Sequence, residues 1–124
     1  MPLIASHNAP TFDLPGASFT GLASPSRGAT DNSVWLVRLH ANSTGTPHRV
    51  TREETFVGLE GRALAKVNDE EFELTAGSAL VVPANALLEL GNPHNEPFHA
   101  VAVLPVGGQA LLHGGEPFTP PWAA

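Results

Sequence analysis

Twelve glycines and twelve prolines interrupt the chain at short intervals, and this spacing limits the fold more than any other feature. Few segments offer ten residues with helical periodicity and no breaker, whereas short runs rich in Val, Leu, Ala and Phe lie between the breakers. Short apolar runs bounded by turn residues are typical of all-β proteins. We therefore predict strands near residues 18–22, 33–40, 46–50, 54–59, 62–67, 71–74, 78–82, 86–90 and 97–104.

The segment WLVRLH shows the alternation expected of a strand with one buried face. Trp35, Val37 and Leu39 share one face, and Arg38 and His40 share the other, because successive side chains of a strand point to opposite sides. We predict that the first face lies in the core and the second lies outside.

Charge and composition exclude several classes of partner and chemistry. The net charge is −6, and the six basic residues are not clustered. Nucleic-acid and anionic membrane surfaces both require a basic patch, so we predict binding to neither. The absence of cysteine excludes disulfides, thiolate metal sites and thiol nucleophiles. No basic segment followed by a long apolar run opens the chain, and we expect a cytoplasmic protein.

Two spaced motifs make the chain resemble the cupin superfamily. The first cupin motif contains Gly, His-x-His, Glu and Gly, and here it runs from Gly45 through His48, Val50 and Glu54 to Gly61. Gly45 lies closer to His48 than this pattern asks, and Val50 stands where the second histidine would be.

The second motif contains Gly, Pro-x-Gly, His and Asn at fixed spacings. Residues at those spacings are Gly77, Pro83, Asn85, Leu88 and Asn92, so asparagine replaces one glycine and leucine replaces the histidine. Asparagine is compatible with the glycine position because it also adopts positive φ.

The resemblance implies an all-β fold of one domain, a cupin-type jelly-roll β-barrel also described as a double-stranded β-helix and as RmlC-like. The single domain would span residues 1–124, with the barrel core at about 33–105. Residues 1–17 would form an N-terminal arm and residues 106–124 a proline-rich C-terminal tail. In that tail, Phe118 and Trp122 are expected to dock on the domain itself or on a partner subunit.

In metal-binding members of the superfamily, three histidines and the glutamate of the two motifs hold one metal ion. Only His48 and Glu54 remain here, so the resemblance implies a degenerate metal site and no cofactor. If Thr51 and Arg52 form a turn, His48 and Glu54 can face each other across neighbouring strands. They would then share the inward side with Val50, Phe56, Gly58 and Leu88, which we predict to line a pocket for a small-molecule ligand.

Three functions follow as alternatives. In the first, the protein binds a small molecule, and any catalysis is metal-independent acid/base chemistry by His48, oriented by Glu54. In the second, it is an oxygenase or isomerase in which His48, Glu54 and His99 hold iron, manganese, zinc or nickel. In the third, it is a dimeric module without catalysis. A homodimer is expected because one outer sheet face, with Leu36, Arg38, His40, Val57 and Leu59, is too apolar to be fully solvated.

Overall fold

The computed structural model describes residues 2–124, which form eleven β-strands and three short 3-10 helices. The helices span Ser6–Asn8, Pro25–Arg27 and Pro121–Ala123. The strands are β1 (Thr11–Leu14), β2 (Ala17–Ala23), β3 (Asn32–Leu39), β4 (His48–Val50), β5 (Glu54–Glu60), β6 (Arg62–Val67), β7 (Glu70–Thr75), β8 (Ala79–Val82), β9 (Leu87–Gly91), β10 (Phe98–Pro105) and β11 (Ala110–Leu112).

All nine strands predicted from the spacing of the glycines and prolines are present, which confirms the all-β fold class. Their ends move by only one or two residues, as at β4, which begins after Pro47 because proline has no amide hydrogen for the ladder. Two strands were not predicted, β1 in the N-terminal arm and β11 in the C-terminal tail. Both are short, and their pattern is too brief to distinguish a strand from a loop.

The strands form two antiparallel sheets that face each other, as in a jelly roll. The six-stranded sheet has the order β1-β2-β3-β10-β5-β8, and the five-stranded sheet has the order β11-β4-β9-β6-β7. The predicted inward face of β3, with Trp35, Val37 and Leu39, is buried. The core between the sheets also contains side chains from β4, β5, β6, β9 and β10.

Small residues bring the two sheets close together at the centre of the barrel. Ala63 and Ala65 on β6, and Ala100 and Ala102 on β10, are fully buried, and these two strands of opposite sheets contact each other. A large side chain on either strand would push the sheets apart. The barrel is therefore narrow at this level, and the bulkier core residues lie on both sides of it.

The two ends of the chain pack against its own barrel. The predicted N-terminal arm enters the six-stranded sheet, because β1 pairs with β2 along its whole length. In the tail, the Trp122 indole stacks on the Phe19 ring of β2 with centroids 4.0 Å apart and an interplanar angle of 14°. The buried Ser33 hydroxyl donates a 2.7 Å hydrogen bond to the Ala123 carbonyl. The tail thus docks on its own domain, which was one of the two alternatives predicted for it.

Candidate functional site

The fold brings the two sequence motifs together inside the barrel. His48 on β4 pairs directly with Leu88 on β9, so the first and second motifs lie side by side in the five-stranded sheet. Glu54 begins β5 in the six-stranded sheet, where it pairs with Val82. The chain crosses from one sheet to the other within residues 51–53, and Glu54 and Val50 are both buried.

Asn85 has the backbone conformation that the second motif requires. Its φ is +67°, in the left-handed region where glycine and asparagine are the residues of lowest cost. Its amide donates a 2.7 Å hydrogen bond to the Val50 carbonyl, and its carbonyl accepts one of 2.8 Å from the Arg49 guanidinium. This turn therefore ties the second motif to the first.

Glu54 is a buried acid without a partner. Its side chain is 4% exposed, and its Oε1 has no hydrogen-bond partner within residues 2–124. Burial disfavours the charged carboxylate and raises the pKa of Glu54 to about 8. The carboxyl group is therefore predominantly protonated at pH 7, and it presents an O–H donor as well as acceptor oxygens.

His48 is half-buried and has a defined hydrogen bond. Its Nδ1 lies 2.9 Å from the Thr46 carbonyl, and a carbonyl oxygen can only accept. Nδ1 therefore carries the proton in the neutral imidazole, and Nε2 carries a free lone pair. Pro47 favours an extended conformation for the residue before it, Thr46, whose carbonyl receives this hydrogen bond.

The predicted contact between His48 and Glu54 is absent. No nitrogen of His48 lies within 4.0 Å of a Glu54 oxygen, and the one ion pair in the described chain joins Arg62 to Glu73 at 3.6 Å. The orientation that we expected from Glu54 comes instead from the Thr46 carbonyl. The two polar groups of the site are thus separate, one deep and unpartnered and one half-exposed and held by the backbone.

Three of the four residues predicted to line a ligand pocket belong to the core. Val50 and Phe56 are each 5% exposed, and Leu88 is completely buried. A glycine inside a strand makes room for a ligand or marks a bulge, and Gly58 adjoins the β-bulge of β5 opposite His99 and Ala100. A Cβ at this position would also collide with the Thr75 carbonyl oxygen. Its missing side chain makes room for the backbone at the end of β7 and not for a ligand.

His99 cannot complete a metal site with His48 and Glu54. It lies between the buried residues Phe98 and Ala100 on β10, so its side chain points to the outer face of the six-stranded sheet, beside Arg38. The prediction that His99 replaces a lost ligand is therefore wrong. Within residues 2–124, no three His, Cys, Asp or Glu side chains come together in a way that could hold a metal ion. Apolar Val50 and Leu88 occupy the other motif positions, so this donor set does not fit a metal of the cupin type.

Two surface depressions lie outside this site. One, of about 310 Å³, is lined by Arg62 and the loop Pro93–Glu96. The other, of about 160 Å³, lies over the outer side of β6 and β9 near Lys66. The first loop is shaped by buried Asn92, whose Nδ2 donates to the Glu96 carbonyl at 2.7 Å and whose Oδ1 accepts from the His94 amide at 3.1 Å. The last residue of the second motif therefore has a structural role.

Solved structures share this architecture at low sequence identity. The polyketide cyclase RemF from Streptomyces resistomycificus superposes with a TM-score of 0.76 and 16% identity, covering 85% of this chain and 79% of the cyclase. An RmlC-like cupin from Shewanella frigidimarina gives 0.73 and 14%, covering 85% of this chain and 90% of that one. The 7S globulin of Momordica charantia gives 0.75 and 20%, covering 90% of this chain but only 37% of the globulin. Such distant similarity establishes the fold and not the activity.

Sequence comparison with curated proteins gives no significant match. No helix within residues 2–124 is both long and apolar enough to cross a membrane. The family model for the Cupin domain matches residues 35–104, which is more than half of the chain and includes both motifs. Together with the two-sheet jelly roll, this match shows that the chain belongs to the cupin family.

Proposed function

We propose that the protein binds a small, uncharged organic molecule, without a metal, through the carboxyl group of Glu54. The observation that carries this proposal is the unpartnered Oε1 of Glu54 in an otherwise apolar core. A buried polar atom without a partner costs about 1–3 kcal/mol relative to a satisfied one. Groups that remain in such an unfavourable state are concentrated at binding and catalytic sites.

The protonation state of Glu54 restricts the chemistry of the ligand. A group with a pKa of about 8 is neutral at pH 7, so it offers a hydrogen-bond donor to a carbonyl, hydroxyl or ether oxygen. An anionic ligand would oppose ionisation of this carboxyl and would itself have to be desolvated in an apolar core. The ligand is therefore a neutral, mainly apolar molecule that carries at least one oxygen acceptor.

His48 would supply the second polar contact, nearer to the solvent. Its Nε2 accepts a hydrogen bond while the Nδ1–H remains bound to the Thr46 carbonyl. If the protein is an enzyme, Glu54 donates a proton to a ligand carbonyl oxygen while Nε2 of His48 removes a proton from the adjacent carbon, which gives an enol. His48 then returns its proton to the ligand carbon and the enol hydroxyl returns its proton to Glu54, so both residues are regenerated. No net redox change accompanies such an isomerisation, so no further reagent is required.

The proposal is tested by thermal-shift and ligand-observed NMR screening at pH 6.5 against neutral aromatic and aliphatic ketones, alcohols and lactones. We expect that compounds which raise the melting temperature of the wild type have no effect on Glu54→Leu. Glu53→Gln is the matched control, because Glu53 is the exposed neighbour, and it should bind like the wild type.

The same Glu54→Leu variant should be more stable than the wild type in the absence of ligand. Replacing a buried, unsatisfied acid by a similarly sized apolar side chain removes the cost of the unsatisfied polar group, which is about 1–3 kcal/mol. A stabilised variant that has lost binding would identify Glu54 as a functional residue. The absence of any binding compound, or equal binding by the wild type and Glu54→Leu, would refute the proposal and favour a non-catalytic module.

A further inference from the structure

The row of side chains that contains His48 becomes more exposed toward the edge of the five-stranded sheet. Strand pairing places Leu88, His48 and Leu112 side by side on β9, β4 and β11. Leu88 is completely buried, His48 is half-buried and Leu112 is 44% exposed. Directly paired side chains lie on the same face of a sheet, so Leu112 points to the inner side although solvent reaches it. The inner face is therefore open at β11, beside the imidazole of His48.

Phe118 extends this open part of the inner face. The chain turns back after β11, and the backbones of Ala110 and Phe118 form a bridge with hydrogen bonds of 2.8 and 3.0 Å. Ala110 also pairs with Val50, whose side chain is in the core, so Phe118 shares the inner side with them. Phe118 is nevertheless 40% exposed. Two large apolar side chains, Leu112 and Phe118, thus face the inner side and are only partly covered by the barrel.

The segment that joins these two side chains projects into solvent as a free turn. This segment, residues 112–118, is here called the tongue, and all of its residues are exposed. The Gly115 amide donates a 3.0 Å hydrogen bond to the Leu112 carbonyl, and Gly114 has a φ of +74°. A Cβ at Gly114 would meet no atom within 4 Å. Segments with few packing contacts open at low free-energy cost, so the tongue can move without disturbing the core.

The two ends of the tongue are, in contrast, fixed to the barrel. Before the tongue, the Thr51 amide donates to the Gln109 carbonyl and the Gln109 amide donates to the Thr51 hydroxyl, both at 2.9 Å. Thr51 begins the short segment that leads to Glu54. After the tongue, Trp122 stacks on Phe19. A mobile loop between two fixed ends can close as a lid.

We propose that the tongue is a lid over the ligand site, with Leu112 and Phe118 as its apolar contact surface. This inference rests on the proposed function, because Glu54 is 4% exposed and a ligand needs an entrance to reach it. The open side at β11 gives a neutral, mainly apolar molecule an apolar entrance. The other end of the same row, on β7, presents the exposed and charged Glu70, which suits such a molecule less well. Closure of the tongue buries Leu112 and Phe118 against the ligand and excludes water from His48.

The first test is a ligand-observed NMR titration at pH 6.5 with acetophenone, cyclohexanone and γ-butyrolactone. Leu112→Ser and Phe118→Ser should each raise the dissociation constant of acetophenone by about tenfold, because each removes an apolar contact. The effect on γ-butyrolactone, which has less apolar surface, should be less than about threefold. Leu64→Ser is the matched control, because Leu64 is 37% exposed on the outer face of the same sheet, and it should bind like the wild type. Circular dichroism checks that all variants are folded.

The second test detects closure of the tongue directly. Because the chain has no cysteine, Gly115→Cys provides a single attachment point for a nitroxide spin label at the turn of the tongue. Saturating acetophenone should reduce the mobility of this label, as measured by electron paramagnetic resonance. The same label in a Glu54→Leu background, and a label at Leu64→Cys, should not respond.

The outcomes separate this inference from the proposed function. If acetophenone binds the wild type but not Glu54→Leu, while Leu112→Ser binds equally well or the label at position 115 does not respond, the lid is refuted and the proposed function stands. If none of the three compounds binds, or if Glu54→Leu binds like the wild type, the proposed function fails and the lid fails with it.

Discussion

The two sheets of the barrel contribute similar side chains to the core but differ in what they leave unsatisfied. The five-stranded sheet is mainly apolar inside and mainly charged outside, where Arg62 pairs with Glu73 and Lys66 lies between Glu71 and Glu89. The six-stranded sheet has the reverse irregularities, a buried acid inside at Glu54 and partly exposed aliphatic side chains outside, such as Leu36, Val101 and Val81.

This difference shows that the alternation of side chains along a strand does not by itself determine how polar each face of a sheet is. Both sheets obey the period of two that a half-buried strand requires. The six-stranded sheet, however, departs further from the rule that apolar groups lie inside and polar groups outside, because its inner acid is buried and several of its outer positions are aliphatic. Such departures are expected at functional sites, and here both lie on the same sheet.

The largest effect that we predict is a pH dependence of the free energy of unfolding caused by Glu54. Its measurement would sharpen the contrast between the two sheets. The pKa of Glu54 rises from 4.5 in the unfolded chain to about 8 in the folded protein. Below the lower value both states are protonated. Between the two values only the unfolded chain ionises, so folding becomes less favourable as the pH rises. The stability contributed by the neutral acid should fall by up to about 5 kcal/mol between pH 4.5 and pH 8.

Urea unfolding at half-unit pH intervals measures this dependence. Glu54→Gln serves as the comparison because it removes the titration and keeps the shape, so the difference between the two curves isolates Glu54. Parallel curves for the wild type and Glu54→Gln would show that the acid is solvated or paired, and the contrast between the sheets would be lost.

A second prediction is that a metal site can be rebuilt at the place where the two sheets meet. Val50→His/Leu88→His adds two imidazoles from the five-stranded sheet to His48, with Glu54 opposite. Because His48 and Leu88 are direct cross-strand neighbours, the new imidazole at position 88 should lie beside that of His48. With zinc at about 100 times its dissociation constant, the variant should gain about 2.7 kcal/mol of stability over the zinc-free form.

Calorimetric titration with zinc and unfolding with and without chelator measure this gain. The additional change Glu54→Ala should weaken the response, since it removes the one ligand from the opposite sheet. A response that is independent of Glu54 would mean that the histidines bind zinc at the surface and that the sheets do not converge there.

A third prediction concerns the tail that packs on β2 of the six-stranded sheet. Trp122→Ala removes the stacking on Phe19 and should lower the free energy of unfolding by about 2 kcal/mol. Phe118→Ala, at a position 40% exposed in the same tail, should change it by less than about 1 kcal/mol. Chemical denaturation compares the two, and equal effects would show that the tail does not dock through the indole.

The smallest expected effect is at the surface of the five-stranded sheet. Arg62 and Glu73 form an ion pair with both side chains about half exposed, and exposed pairs contribute little because water and salt screen them. Glu73→Gln should therefore change stability by less than about 0.5 kcal/mol at 0.15 M salt, as measured by urea unfolding. A loss of several kcal/mol would indicate that this outer face is covered in the native protein.

The strands and the motif positions could be predicted from the sequence because their signals are local. Breakers limit each strand, and the alternation in WLVRLH assigns its faces without reference to any other strand. The positive φ of Asn85 was predictable for the same reason, since the residue type alone indicates which backbone conformations are accessible. The expectation that Leu36 and Val57 share an outer face was also confirmed, because alternation places them there.

The tertiary structure alone decided the chemistry of the site. That Glu54 has no partner, that His48 bonds to Thr46 and that Gly58 accommodates the backbone near Thr75 all depend on which strands meet. The His99 side chain points outward because β10 begins at Phe98 with a buried residue and its side chains alternate from there. Hydrogen bonding and desolvation are set by separations of a few ångströms between residues distant in the chain, and local sequence patterns do not encode these separations.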